Sequence, residues 1–437
     1  MSMKTDSKKV ESSKKETSQP KSSDQTVPTQ QTQKAVVRET IWLVAGIFCT
    51  IISSPVIFLV ILSTLWDLID RGFRGTNGTG IIFIISRWIN SKTEKFNQKF
   101  VAYKEDAYTI NVIILLAVVL PIAFLYCLND HMNNGFSWTL CVLYNLFRLG
   151  PYLINFTWCY ALSHKEGHMG AGLYKEPYTF LSKIFNWWIG LFYGVLPASF
   201  VYGHSINHHK YDNREEDVVS TSDRPRDSWL NWIRYIPRFA LYSLNISTII
   251  QFYKERKYGI CLKMFLGSLY WFSFVFLVLK LTNTSFTFWY VIYPFFENFF
   301  ILSAINWAWH AFIDDQDPEN EYINSVTIVD GVFNVLNEDY HVVHHQYPGV
   351  HWTKNYDLYL KHKEEYKKGK QAAMFKDTQV FEMFVLVASA NYDVLAQKMV
   401  LNQDLSFEEK KEFIKRRLRV CTWGPFKTVD QKISKWE

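Results

Sequence analysis

This sequence predicts an all-α integral membrane protein with four to five transmembrane helices. Three observations lead there: long apolar runs, an uneven distribution of basic residues between them, and histidines gathered at their ends. A hydrocarbon core about 30 Å thick takes roughly 20 apolar residues in a helix. Residues 41–66, 110–128, 136–162 and 259–281 meet that length, and 286–309 adds an aromatic run that ends beside Asn306 and His310. A buried helix of a soluble protein is the competing reading of each run, but so many runs of this length exceed what one core needs.

Residues 1–40 are almost entirely Ser, Thr, Gln, Lys, Asp, Glu and Pro, too polar to offset the entropy of ordering, and are expected to be a disordered tail. No apolar segment of signal-peptide length follows its first lysines. The first apolar run is interrupted at Ser53-Ser54-Pro55, so it either crosses once or folds back, and the tail's eight Lys and Arg favour the fold-back. The joins at 128–136 and 281–286 contain no Lys or Arg, whereas 67–109 carries seven and 203–258 carries nine. The positive-inside rule places the short joins in the lumen and the basic segments in the cytosol. Residues 184–202 are long enough for one crossing, yet they lie between two histidine groups that must meet. Gly190, Gly194 and Pro197 mark the breaks of a re-entrant or interfacial segment instead. Residues 353–437 are charged and read as cytosolic helices with a loop at Trp423-Gly424-Pro425.

Two function classes fall away on composition. A net charge of +6, dispersed along the chain, implies no nucleic acid, and six cysteines without CxxC spacing support neither a disulfide framework nor a thiolate zinc site.

The histidines carry the chemistry. Nine of the twelve form His164-x3-His168, His204-x3-His208-His209, His341-x2-His344-His345 and the single His310, each just beyond an apolar run on the cytosolic side. Helical residues three and four apart share a face, so His164 converges with His168, His204 with His208, and His341 with His344 and His345. His209 is turned about 100° from His208 and is free to serve a second ion. Nine imidazoles exceed the four of a structural zinc and suit two ions with four or five ligands each.

This order of boxes resembles the membrane-bound fatty acid desaturase and hydroxylase superfamily over about residues 100–360. The third box, from Asn337-Glu338-Asp339-Tyr340-His341 through His344-His345-Gln346-Tyr347-Pro348, is similar to that of acyl-CoA desaturases. The three-residue spacing of the first two boxes is closer to acyl-lipid desaturases, and Glu166-Gly167 before His168 is similar to alkane hydroxylases. The resemblance implies a cytosolic helical cap holding a di-iron site (two Fe2+), with all nine histidines as ligands and Asn306 on a metal-bound water. It divides the chain into a tail (1–40), an N-terminal membrane segment and linker (41–109), a membrane catalytic domain (110–360) and a cytosolic helical region (361–437). Glu166, Asp212, Glu338 and Asp339, each within three residues of a box, are candidates to hold imidazoles by their second nitrogen.

The implied reaction is O2-dependent introduction of a double bond into a fatty acyl or other lipid chain, with hydroxylation of a lipid, sterol or alkane as the alternative. A histidine-rich metal transporter is the remote alternative, disfavoured because Glu297 is the exceptional acid in spans that are nearly free of them. No haem-binding or Gly-rich nucleotide motif is present, so two electrons per turnover come from outside. Cytochrome b5 with its reductase, at the endoplasmic reticulum, is the source the resemblance implies. Arg214, Arg224, Arg226 and Lys354 are expected to be the exposed basic residues that attract it.

Overall fold

The computed structural model describes residues 30–72, 80–314, 320, 322–331, 334–367, 373–400 and 405–427. The tail expected over 1–40 lies outside them up to residue 29, and helix begins at Gln30. The first run forms α1 (Gln30–Ser53) and α2 (Pro55–Gly72), broken where Pro55 lacks an amide hydrogen to continue the ladder. Helix α3 (Ile81–Asn97) follows. α4 (Thr109–Ile114) passes through a π-helical turn, Leu115–Val119, into α5 (Leu120–Asn134), which Gly135 at φ +83° ends.

The run expected over 136–162 is not one helix. It divides into α6 (Trp138–Leu149) and α7 (Ile154–Met169) at Gly150-Pro151, where Tyr152 and Leu153 take φ of +51° and +60°. Hydropathy counting is blind to this break. Ser63 of α2 holds it, donating to the Gly150 carbonyl at 2.6 Å and accepting from Leu153 N at 2.9 Å.

Residues 184–202 are also broken, at two of the expected places. π-helical Phe185–Ile189 and α8 (Gly190–Tyr193) stop at Gly194, and a second π-helical segment, Ser199–His208, starts after Pro197 and runs into α9 (His209–Tyr211). Gly194 sits at φ +69° with Phe295 Cα only 2.3 Å from where a Cβ would be, so no other residue fits. Then come α10 (Trp229–Ser243), α11 (Ile246–Lys254), α12 (Tyr258–Leu281), α13 (Thr284–Thr287) and, after π-helical Phe288–Ile292, α14 (Tyr293–Trp309).

Among the described residues, four stretches are long and apolar enough to cross a membrane: Lys34–Ser53, Lys104–Asn134, Tyr258–Leu281 and Thr284–Trp309. α12 leaves Leu262, Phe265, Leu269, Phe272 and Phe276 exposed, a surface suited to lipid. α1 passes so close to α10 that a Cβ on Gly46 would lie 2.0 Å from the Ile233 carbonyl oxygen. Its Glu39 faces Arg224 and Arg234, and Ser53 at its end donates to the Phe296 carbonyl, midway along 284–309. Helix α1 therefore ends level with the middle of α14. Arg148 of α6 and Glu297 of α14, both fully buried, form a bidentate pair at 2.9 and 2.8 Å across the bundle.

Beyond α14 the chain forms a small two-stranded sheet in an otherwise helical structure. β1 (Val326–Val329) pairs in parallel with β2 (Ala373–Lys376), Val326 opposite Ala373. The rest is helical: α15 (His341–Gln346), α16 (Asn355–Lys367), α17 (Val380–Ala388), α18 (Tyr392–Lys398) and α19 (Phe407–Arg419). The sheet serves the third box. Ile328 N donates to the Asp339 carbonyl, which fixes the chain just before His341.

Candidate metal centre

Four separate pieces of chain deliver the nine histidines to one place. On α7, His164 and His168 lie one turn apart and face each other, Nε2 to Nε2, at 3.0 Å. In the second box the pairing differs from α-helical expectation. His204 meets His209 at 2.9 Å, five residues on, while His208 turns away. The cause is the π-helical backbone of 199–208, whose i→i+5 repeat brings residues five apart onto one face. On α15, His344 and His345 point about 100° apart, as helical neighbours must. His310 closes the end of α14.

These turns sort the donors into two groups. The ring nitrogens of His164, His168, His204, His209 and His344 lie within 4.8 Å of one another, and so do those of His208, His310 and His345. His341 joins the second, its Nε2 3.3 Å from that of His310. His209 and His345 stack at 4.1 Å between the groups. Imidazole nitrogens facing one another at such distances converge on points where a shared cation would sit, and His345 Nε2 is buried with no hydrogen bond to protein. The donor set fits two borderline cations.

Burial keeps most of these rings in the neutral form that binds metal. It drives His168, His204, His209, His310, His341 and His344 well below the usual imidazole value, and His164 down to about 4 against the opposing pull of Glu338. His208 is the exception. Burial lowers it too, but Asp217, 2.7 Å from Nδ1, more than offsets that and raises it.

Asp217 is the residue that sequence reasoning missed. It lies outside the three-residue window around each box, on a loop that folds back under His208, and it also accepts from Asn213 N and Val219 N. The loop holds His310 as well: Thr221 and Asn213 donate to its carbonyl, and its Nδ1 lies 2.8 Å from the Asn324 carbonyl.

The four nominated carboxylates divide. Asp212 Oδ1 lies 3.2 Å from His345 Nδ1. Glu338 lies 3.4 Å from His164 Nδ1 and 2.6 Å from Lys165 Nζ. Glu166 reaches no histidine; it accepts from the Phe185 and Asn186 amides and the Asn186 side chain, tying 185–189 to α7. Asp339 touches no imidazole either and packs where a side chain on Gly331 would be. Burial and the neighbouring Glu338 push its carboxyl up to about 7.

An elongated, mostly apolar cavity ends on this cluster. Phe156, Tyr160 and His164 of α7 form one wall, and Asn298, Leu302, Ile305, Asn306 and Trp309 of α14 another. The α14 wall is roughly 16 Å long at 1.5 Å per residue. Asn306 Nδ2 donates to the Val219 carbonyl and to Tyr235 Oη, so the oxygen is the end of its amide left for the cavity. Trp309 lines the cavity and stacks on His341 at 4.1 Å; Trp307 is buried elsewhere, and Trp187 and Trp188 face outward.

Two of the four basic residues expected on the docking face are not on any face. Arg224 and Arg226 are buried. Arg224 pairs with Asp223 at 2.9 Å, and Arg226 donates to the carbonyls of Ala311, Arg224 and Arg417. Charge counting cannot distinguish a guanidinium spent on internal carbonyls from one in water.

The family model described as fatty acid desaturase matches residues 136–376, more than half of the chain and all four histidine-bearing pieces. No curated protein and no solved structure matches the chain.

Proposed function

The chain belongs to the fatty acid desaturase family, and from that premise we propose that it inserts a double bond into the hydrocarbon chain of a lipid, using O2 and externally supplied electrons. The coarser statement follows from the family: an integral membrane oxidoreductase that acts on lipids. The observation that carries the finer reading is the apolar cavity ending on nine clustered histidines.

In this reading His164, His168, His204, His209 and His344 hold one iron, and His208, His310, His341 and His345 the other. Bound there, the irons supply the dioxygen activation that removal of hydrogen from an unactivated methylene requires. The chain's own residues do the rest. Asp217, Asp212 and the Asn324 carbonyl orient the rings of His208, His345 and His310 through their second nitrogens. Glu338, held by Lys165, supports His164. The Asn306 amide oxygen is placed to accept a hydrogen bond from water at the cluster. Leu302, Ile305 and Phe156 exclude bulk water and keep a methylene chain in line with it. Electrons come from a separate carrier of the cytochrome b5 kind, at the endoplasmic reticulum, with the boxes on the cytosolic side.

Expression in a desaturase-deficient host, followed by mass spectrometry of total lipids, tests the reaction. A new double bond that is absent from a His341→Ala strain is expected. A new hydroxyl instead would assign the chain to the hydroxylase branch, and no lipid change would overturn the proposal.

A further inference from the structure

The cavity has a second end, away from the histidines. There Leu153, at the break between α6 and α7, stands across from Val380 and Phe381, the first residues of α17. α17 falls in the region expected to be cytosolic, yet its sequence, VFEMFVLVA, carries one ionisable residue. That residue, Glu382, is occupied on one edge by Lys398 at 3.1 Å and Thr378 Oγ1 at 3.0 Å. Met383, Phe384, Leu386 and Val387 pack inward. The outward stripe is equally apolar: Phe381 and Val385, one turn apart, are 37% and 48% exposed. Trp229 and Leu230, at the start of α10, extend it at 41% and 46%, with Trp229 packed on Phe384 at 5.2 Å and donating to Ser389.

The depth of this patch says what covers it. Trp232 packs at 4.8 Å on Phe384 and at 5.2 Å on Phe300 of α14, which sets α17 level with Phe300. At 1.5 Å per residue, Phe300 lies roughly 13 Å inside the Trp309 end of that membrane-length helix. Side chains exposed at this level meet hydrocarbon or the interface where tryptophan collects, not water. In water the same patch would be an uncompensated apolar surface.

We propose that α17 and the first turn of α10 are embedded in the bilayer, and that they hold the mouth of the cavity open to it between Leu153 and Phe381. The substrate is then a lipid chain drawn laterally from the membrane, not one delivered from water. The substrate half rests on the lipid-oxidation reading; the embedding does not.

Spin labels test the embedding in nanodiscs. The partly exposed Cys49 and Cys261 are replaced by Ala, the other four cysteines being buried, and a label is placed at Val385→Cys, at Ile122→Cys on α5 as a lipid-facing reference or at Glu408→Cys on α19 as a water-facing one. Collision with oxygen over a water-soluble nickel chelate is expected to follow the Ile122 label. Following the Glu408 label would overturn the embedding. Loss of access to both reagents would overturn it too, in favour of a second copy or a partner protein covering the patch. A phospholipid with a diazirine near its chain terminus tests the mouth: photolabelling of Phe381 together with Leu153 or Phe156 is expected, and labelling that stops at the outer stripe would overturn lateral entry. Neither measurement needs turnover, so an enzyme that made no product would sink the oxidation reading while leaving these results to stand or fall alone.

Discussion

His344 and His345 are neighbours in sequence and members of different groups. Replacing each by Ala should therefore have different consequences: dialysis against a chelator should strip iron from the first group in one variant and from the second in the other, as read by metal analysis and Mössbauer spectroscopy. Identical losses from both variants would contradict the division. Asp217→Asn removes the carboxylate 2.7 Å from His208 and should weaken metal retention by about 10–100-fold with little change in fold. Asp223 has no such role and stabilises instead. Burial pushes its carboxyl up, but Arg238 at 2.6 Å and Arg224 more than reverse this and hold it well below the usual range. A depressed carboxyl contributes stability above its unfolded value of about 3.9 and loses it as the pH falls through its folded value. Asp223→Asn removes the carboxylate that two guanidinium groups share, at a cost of up to about 3–5 kcal/mol. Its deficit in thermal unfolding in detergent should be constant from pH 7 to about 4 and shrink only below that.

Among the elements, α6 and α14 are joined by Arg148 and Glu297, which no solvent reaches. Asn145 accepts from the same guanidinium at 3.0 Å, so the arginine has partners on both helices. Removing one member leaves a buried charge, whereas replacing both by apolar residues of similar size leaves none. Glu297→Gln should shorten the half-life of the purified protein at elevated temperature severely, and Arg148→Met with Glu297→Leu should restore most of it. If the double variant were as labile as the single one, the pair would be needed for something other than mutual neutralisation. The π-helical segment 199–208 is the other element whose form matters. An ordinary α-helix there would pair His204 with His208 and leave His209 outside the first group.

For the whole molecule, the division of labour is between a lipid-facing bundle that supplies the walls of the cavity and loops that bring donors to its end. The sequence contains neither a haem-binding motif nor a Gly-rich nucleotide motif. Purified protein with lipid substrate, O2 and NADH should therefore be inactive, and adding cytochrome b5 with its reductase should start turnover, followed by oxygen consumption. Activity with NADH alone would refute the external supply. With Arg224 and Arg226 enclosed, a docking face for an acidic carrier draws on exposed side chains such as Lys354, and Lys354→Glu should raise the carrier concentration needed for half-maximal rate, more at low salt than at high.

Apolar run length and histidine spacing are local properties, and both were legible along the chain. The runs at 110–128, 259–281 and 286–309 each lie within a membrane-length helix because hydrocarbon thickness alone sets the count. All nine histidines meet, as their spacing implied, although only His310 sits at the end of such a run. What needed three dimensions was every choice between partners. The break at Gly150-Pro151 is tied down by Ser63, far away in sequence. The pairing of His204 with His209 depends on a backbone repeat that hydropathy does not encode. Asp217 reaches His208 only because its loop folds back, and Glu166, nominated by proximity, is drawn off by amides at 185–186. The same holds for Arg224 and Arg226, whose charge is visible in the sequence and whose burial is not. A side chain's type follows from the chain itself, but the group that satisfies it is whichever one the packed tertiary structure brings within about 3 Å.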